Sequence, residues 1–285
     1  MKQAIRNILV LARYYVRELT LIVNQPGLAQ KLRAREQQVK NLRRRLAKER
    51  REVKRLKQSE ARLPVGDMEL LRGLRPISPN FGLERGLPID RYYIEHFLTR
   101  WAGEIRGRVL EVGDNYYTQK YGGERVRVSD VLDVSEDNQR ATIHADLTRA
   151  AHVPSDAFDC IILTQTLHLI YDLHSAVQTL YRILKPGGVL LATFPGIGRT
   201  GCRHYEYERR KYSEHWALTQ LSTRRLFGEA FPPANVAVEA HGNVLAAISF
   251  LHGLAVEDLR QGDLDYHDPD YQVLIALKAV KPGAS

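Results

Sequence analysis

The residues Glu111-Val112-Gly113-Asp114 close a short β-rich run, and Asp130 stands 17 positions beyond Gly113. A glycine at a strand end lets a ligand approach the backbone. An acidic residue at about that offset takes ribose hydroxyls in dinucleotide folds. These types at this spacing point to a nucleotide-type pocket. Imidazoles that could take a proton lie farther on: His168 in "TLHLI", and His204 and His215 amid Tyr205, Tyr207, Tyr212 and Trp216. The aromatic density of 204–216 suits a sugar or ring-shaped acceptor, and it equally suits a lid. "GIGRTG" at 196–201 satisfies G-x-G-x-x-G literally, but no clean helix follows it and no second βα unit carries an acidic partner. A regular expression without that context is a weak warrant, so 196–216 is read as a substrate-side loop. "LDYHDPDY" at 264–271 is read as a polar turn before the last strand, and no metal site is expected.

Positioning such residues requires a sheet, and the chain supplies one. Short β-rich runs occupy 108–112, 126–131, 141–145, 158–164 and 188–194, with "NVAVEA" and "YQVLIALKAV" near the end. A helix-period stretch, "LHSAVQTLYRIL", separates the fourth and fifth runs, and "RYYIEHFLTRWAGEI" reads as an amphipathic helix before the first. Buried strands alternating with connecting segments indicate a parallel, doubly wound sheet. The first two crossovers are too short for full helices, since parallel connections need about a dozen residues or more.

The net charge of +9 is unevenly placed: residues 1–63 hold 18 Lys and Arg against 5 Glu, and the rest 24 against 28 acidic residues. That split marks a boundary, with a basic extension over 1–63, a Pro- and Gly-dense linker over 64–89 and an α/β domain over 90–285. Residues 4–23 carry too many charges for a membrane span. They read as an amphipathic helix that packs on its own domain or a partner copy, or lies on a membrane surface. From residue 28, heptads with Leu32, Val39, Leu46 and Val53 at a and Leu28, Leu42, Leu56 and Leu63 at d, interrupted by Arg35, Glu49 and Glu60, support a coiled coil, hence a homo-oligomer. Nucleic-acid contact is disfavoured, because no aromatics interleave the basic residues. Two cysteines, Cys160 and Cys202, without motif spacing suit a reducing cytoplasm.

"RVLEVGD" followed by "FDCIILTQTLHLIYDLHSAVQTLYRILKPGGVLLATFPG" resembles the class I S-adenosylmethionine-dependent methyltransferases, in their small-molecule, type 11-like branch. The resemblance covers roughly residues 90 to 280, with "LKPGG" between helix and strand as its firmest part. It implies an α/β fold with a doubly wound, seven-stranded, mostly parallel sheet, the Rossmann-like methyltransferase fold, its last strand antiparallel. It implies S-adenosylmethionine as cofactor over the carboxyl ends of the strands. Carried over, Glu111, Gly113 and Asp114 occupy the first-strand motif, and Asp130 takes the ribose. Asp146 and Leu147 hold the adenine, Thr164 and Gln165 lie near the methionine portion, and Tyr92 and Tyr93 cap the cofactor. His168 is the first candidate base, with His204 and His215 second.

One departure stands out. The family usually reads Gly-x-Gly after the first glycine, where this chain has Asp114-Asn115-Tyr116. Asn115 tolerates a left-handed turn, and Tyr116 or Tyr117 could cover the methionine end. The expected function is therefore methyl transfer to a small acceptor, such as an oxygen of a sugar or glycan precursor. Two alternatives stay open: a non-catalytic adaptor that lost its cofactor through this loop, and an RNA methyltransferase guided by the basic stalk.

Overall fold

The structure is a computed structural model and describes residues 37–41, 43–45, 47–48, 73–200 and 214–283. The described residues between 37 and 48 are helical. The amphipathic helix expected at 4–23 and the remaining heptads lie outside the described residues. The chain divides into two compact units, Met1–Arg62 and Leu63–Ser285. The second is the α/β body.

Seven strands form one sheet: β1 (Gly107–Val112), β2 (Val126–Asp133), β3 (Ile143–His144), β4 (Phe158–Thr164), β5 (Leu184–Pro195), β6 (Val236–His241) and β7 (Leu274–Val280). Their order is β3-β2-β1-β4-β5-β7-β6. β7 runs antiparallel to both neighbours, and the pairings from β3 through β5 are parallel. Strand order reverses between β1 and β4, which is where open α/β sheets take their ligands.

Alternation along each buried strand splits the core in two. Leu110, Ile161, Leu163, Leu190 and Phe194 face α2 (Leu173–Ile183) and α3 (Gln220–Gly228). Val109, Cys160, Ile162, Leu191 and Leu274 face α1 (Ile89–Arg100) and α4 (Val244–His252). Burial of Cys160 raises its thiol pKa, as befits a packed, unreactive side chain. The third strand shrinks from the expected 141–145 to two residues at the sheet edge. The short crossovers behave as their lengths require: five residues of π-helix, Thr118–Gly122, with a 3-10 turn at Gly123–Arg125, stand between β1 and β2.

Helices α3 and α4 are absent from the sequence reading, although both carry capping signals. Thr219 and Ser222 cap α3 reciprocally, and Asn243 caps α4, which ends in a left-handed Gly253. Residues 78–88, in the described part of the linker and entry segment, pack on the body. Ser78 N donates to the His252 carbonyl, Arg85 grips Asp258 with two bonds of 2.7 and 2.8 Å, and Pro88 bridges Ala255.

Asn243 does more than cap. Its Oδ1 accepts from Ala246 N at 2.9 Å, and its Nδ2 donates to the carbonyls of Asp263 and Tyr266, both at 2.8 Å. Replacing it with Ala strands a buried N–H and two carbonyls. The expected cost is about 2 to 3 kcal/mol in urea unfolding, and a loss below about 0.5 kcal/mol would contradict this role.

Candidate functional site

A cleft of about 590 Å³ opens at the carboxyl ends of β1, β4 and β5. Val112, Gly113 and Asp114 come from the end of β1, Thr164 and Gln165 from the end of β4, and Pro195 from β5. One wall is the lead-in segment and α1, through Phe81, Leu83, Pro88, Asp90, Arg91 and Ile94; Phe250 of α4 adjoins it. Phe81 stacks on Phe250 at 5.9 Å between centroids, and the Arg199 guanidinium lies 3.9 Å over the Phe81 ring.

Gly113 holds φ at +89°, and a Cβ there would meet no atom of the described residues within 4 Å, its chain neighbours aside. The left-handed backbone explains the glycine, and the open space above it is a place for a ligand. Asn138 Nδ2 donates to the Gly113 carbonyl and to Asp133 Oδ2, both at 2.7 Å, tying the ends of β1 and β2 together. Gly196 has a different reason: its Cβ would fall 1.9 Å from the Gln272 carbonyl oxygen. The literal glycine motif is thus a close strand approach at its first position.

Glu111 is buried beneath Gly113, 2% exposed. Its Oε1 accepts from Tyr117 N at 3.1 Å and its Oε2 from Thr118 N at 2.7 Å. Burial pushes its pKa up to about 7, against the lowering effect of those hydrogen bonds. Glu111 lines the cleft, yet its oxygens serve the turn behind it.

On the far side Gln165 adopts φ +48°, an uncommon conformation for a non-glycine residue. Its Nε2 and the Nδ1 of His168 are buried with no hydrogen-bond partner among the described residues. His168 is 5% exposed, and burial lowers its pKa to about 4, so the imidazole is neutral at physiological pH. Its carbonyl accepts from His215 N at 2.9 Å, which docks the 214–216 segment beside the cleft.

The structure gathers Glu111, Gly113, Asp114, Thr164, Gln165 and His168 around one cavity and moves others away. Asp130 sits inside β2 opposite Leu110, not at the strand end. Its carboxylate accepts from Arg108 Nε at 2.7 Å and Thr142 Oγ1 at 3.1 Å. The acid at the end of β2 is Asp133, 20 residues beyond Gly113. Tyr92 and Tyr93 do not face the cleft: Tyr92 donates to Asp265 at 2.6 Å, and Tyr93 to the Leu264 carbonyl at 3.1 Å. Asp90, Arg91 and Ile94 take their place. Leu147 is packed into the core, and Asp146 is exposed beside it with Thr148 donating to its Oδ1. His215 is exposed, its ring 5.5 Å from that of Tyr171 and outside the cleft lining, where Glu214 stands. His204 lies outside the described residues, as do Tyr205, Tyr207 and Tyr212. Among the described residues no group of three or more His, Cys, Asp or Glu could hold a metal ion.

Residues 115–192 match the family model described as Methyltransferase domain. That match lies within the α/β body and covers less than a third of the chain. The chain is similar to the ubiquinone/menaquinone biosynthesis C-methyltransferases UbiE of Pectobacterium carotovorum subsp. carotovorum and Pectobacterium atrosepticum, 33% identical to each over 93 residues. The match covers 33% of this chain and 34% of those proteins, so the chain spans about a third of the length of the relatives it matches. Among solved structures, a SAM-dependent methyltransferase from Archaeoglobus fulgidus superposes with a TM-score of 0.44 at 13% identity, over 67% of this chain and 94% of that one.

Buried Glu111 makes a pH prediction. Unfolded, this carboxyl ionises near its ordinary 4.5; folded, it keeps its proton up to about 7. Between those values the folded state binds more protons, so the group's contribution to stability falls as pH rises. Glu111→Gln removes the ionisation. Urea unfolding should show wild type losing stability relative to the variant between about pH 5 and about pH 8. A constant difference across that range would contradict the assignment.

Proposed function

We propose that the chain is an S-adenosylmethionine-dependent methyltransferase and that this cleft holds the cofactor. The observation that carries the reading is the open space over left-handed Gly113 at the sheet's switch point. The unpartnered Gln165 and His168 atoms across the cleft add polar groups that await a ligand. A volume of about 590 Å³ lies within the usual range of small-molecule sites.

Asp133, at the end of β2, is the proposed acceptor for ribose hydroxyls in place of Asp130; its oxygens already accept from Ser135 N and Asn138 Nδ2, so each would take a second hydrogen bond. Asp146, exposed just beyond β3, remains the proposed adenine contact, and Leu147 supports it from the core. When bound, the cofactor supplies an electrophilic methyl group on a sulfonium. The protein then has mainly to position the acceptor and exclude water. Phe81, Leu83, Ile94 and Phe250 give the cleft an apolar wall that does so. His168, with a pKa near 4, is too weak a base to hold an acceptor's proton at neutral pH. Its free nitrogen instead orients the acceptor by a hydrogen bond. Glu111 contributes no base, because both oxygens are occupied.

The acceptor is proposed as a small molecule. An oxygen of a sugar or glycan precursor draws support from the exposed Tyr171 and Trp216 rings, stacked 5.9 Å apart beside His168. The names of the matched relatives favour a carbon acceptor instead. The basic extension is proposed as an oligomerisation stalk, with membrane-surface contact through residues 4–23 as a second role. No helix among the described residues is long and apolar enough to cross a membrane.

Calorimetric titration of S-adenosylmethionine and S-adenosylhomocysteine into the full chain tests the reading, with saturable micromolar binding expected. Gly113→Val should weaken both ligands by at least about tenfold, because a side chain at φ +89° strains the loop and enters the ligand's space. No binding to the folded wild-type chain would favour the adaptor alternative. Unchanged affinity in the variant would remove the cleft from the account.

A further inference from the structure

We propose that Asp90 and Arg91 grip the amino-acid end of the cofactor, the carboxylate of Asp90 taking its α-ammonium and the guanidinium of Arg91 its α-carboxylate. The proposal rests on the S-adenosylmethionine reading of the same cleft and specifies which residues bind that end.

Placement comes first. Both residues lie in the first turn of α1 and line the cleft together with Glu111, Gly113 and Tyr117. Both also act electrostatically on the Tyr117 phenol, which places them over the loop that follows β1. If Asp133, at the end of β2, marks the ribose side, the rest of the ligand extends the opposite way, over β1 and β4. That direction leads to Asp90 and Arg91.

The chemistry is complementary. The methionyl end carries one positive and one negative group on a single carbon, and two adjacent residues of opposite charge present the matching pair. A guanidinium can bind a carboxylate through two parallel hydrogen bonds. Three other acids line the cleft, Glu111, Asp114 and Glu214. Glu111 has both oxygens committed, to Tyr117 N and Thr118 N, while Asp114, like Asp90, accepts one backbone bond through Oδ1. Asp90 accepts from Arg91 N at 2.8 Å through Oδ1, and among the described residues no hydrogen bond or ion pair holds the Arg91 guanidinium. Burial raises the Asp90 pKa, a cost that an incoming ammonium would offset.

The wall bearing this pair is fixed in place. The two bonds from Arg85 to Asp258, and Glu257 Oε2 accepting from Leu87 N at 2.8 Å, anchor the chain just ahead of α1. A preset pair of charges binds without the entropy cost of ordering a loop.

Three ligands separate the groups in calorimetric titration of the full chain: S-adenosylhomocysteine, its decarboxylated analogue, and 5′-deoxy-5′-methylthioadenosine, which lacks the whole amino-acid end. Asp90→Asn should weaken S-adenosylhomocysteine by at least about tenfold, the scale of one charge-assisted hydrogen bond. It should leave methylthioadenosine unchanged, and that second ligand also shows that the variant is folded. Arg91→Gln should weaken S-adenosylhomocysteine but not the decarboxylated analogue. Equal losses for all ligands, or no loss for any, would overturn the grip while leaving the cofactor reading intact. Wild type binding none of the three would overturn that reading, and the grip with it.

Discussion

A carboxylate inside a protein must find donors, and at Glu111 that requirement shapes the ligand cleft. The residue lies at the end of β1, where its neighbours leave almost no solvent, and two consecutive backbone N–H groups satisfy it. Those donors belong to Tyr117 and Thr118, so the chain leaving β1 must fold back at once. The connection is too short for a full crossover helix, and it closes as a π-helical turn and a 3-10 turn before β2 begins. Gly113 is left as the exposed crest of this fold-back, with nothing among the described residues within 4 Å above it. Burial, capping and the open cradle are one arrangement.

The sheet was largely legible because buried strands announce themselves as apolar runs, and "FDCIILT" matches β4 to the residue. Helix α3 was not legible by the same logic: its face is mostly polar, and its start is marked by Thr219 and Ser222 more than by periodicity. Helix α4 is apolar nearly all round, so no stripe distinguished it from a strand. Site residues failed where a small phase error mattered. Asp130 and Asp133 differ by three positions, yet one is locked against Arg108 within the sheet and the other stands at the end of β2. Along α1 each residue turns the side chain by about 100°, so Tyr92 and Tyr93 face residues 264–265 while Asp90, Arg91 and Ile94 meet the cleft. Rotation of a helix against a sheet is decided by tertiary packing, which no local pattern encodes.

The loop that departs from the usual glycine pattern is therefore a rearrangement with its own supports. Asp114 accepts from Tyr116 N, and Gln119 Nε2 donates to Asn115 at 3.0 Å, so the residues in place of glycines stabilise the turn. Two of the buried polar groups without hydrogen-bond partners among the described residues, at Gln165 and His168, lie on the opposite side of the same cavity. Such groups are expensive to bury, and a binding site is the ordinary circumstance in which a fold retains them.

The most direct test is a crystal structure of the full chain grown with S-adenosylhomocysteine. The account predicts density for the ligand over Gly113 between the ends of β1 and β4, with its ribose toward Asp133. Ligand bound elsewhere on the chain, with that cleft vacant, would contradict it.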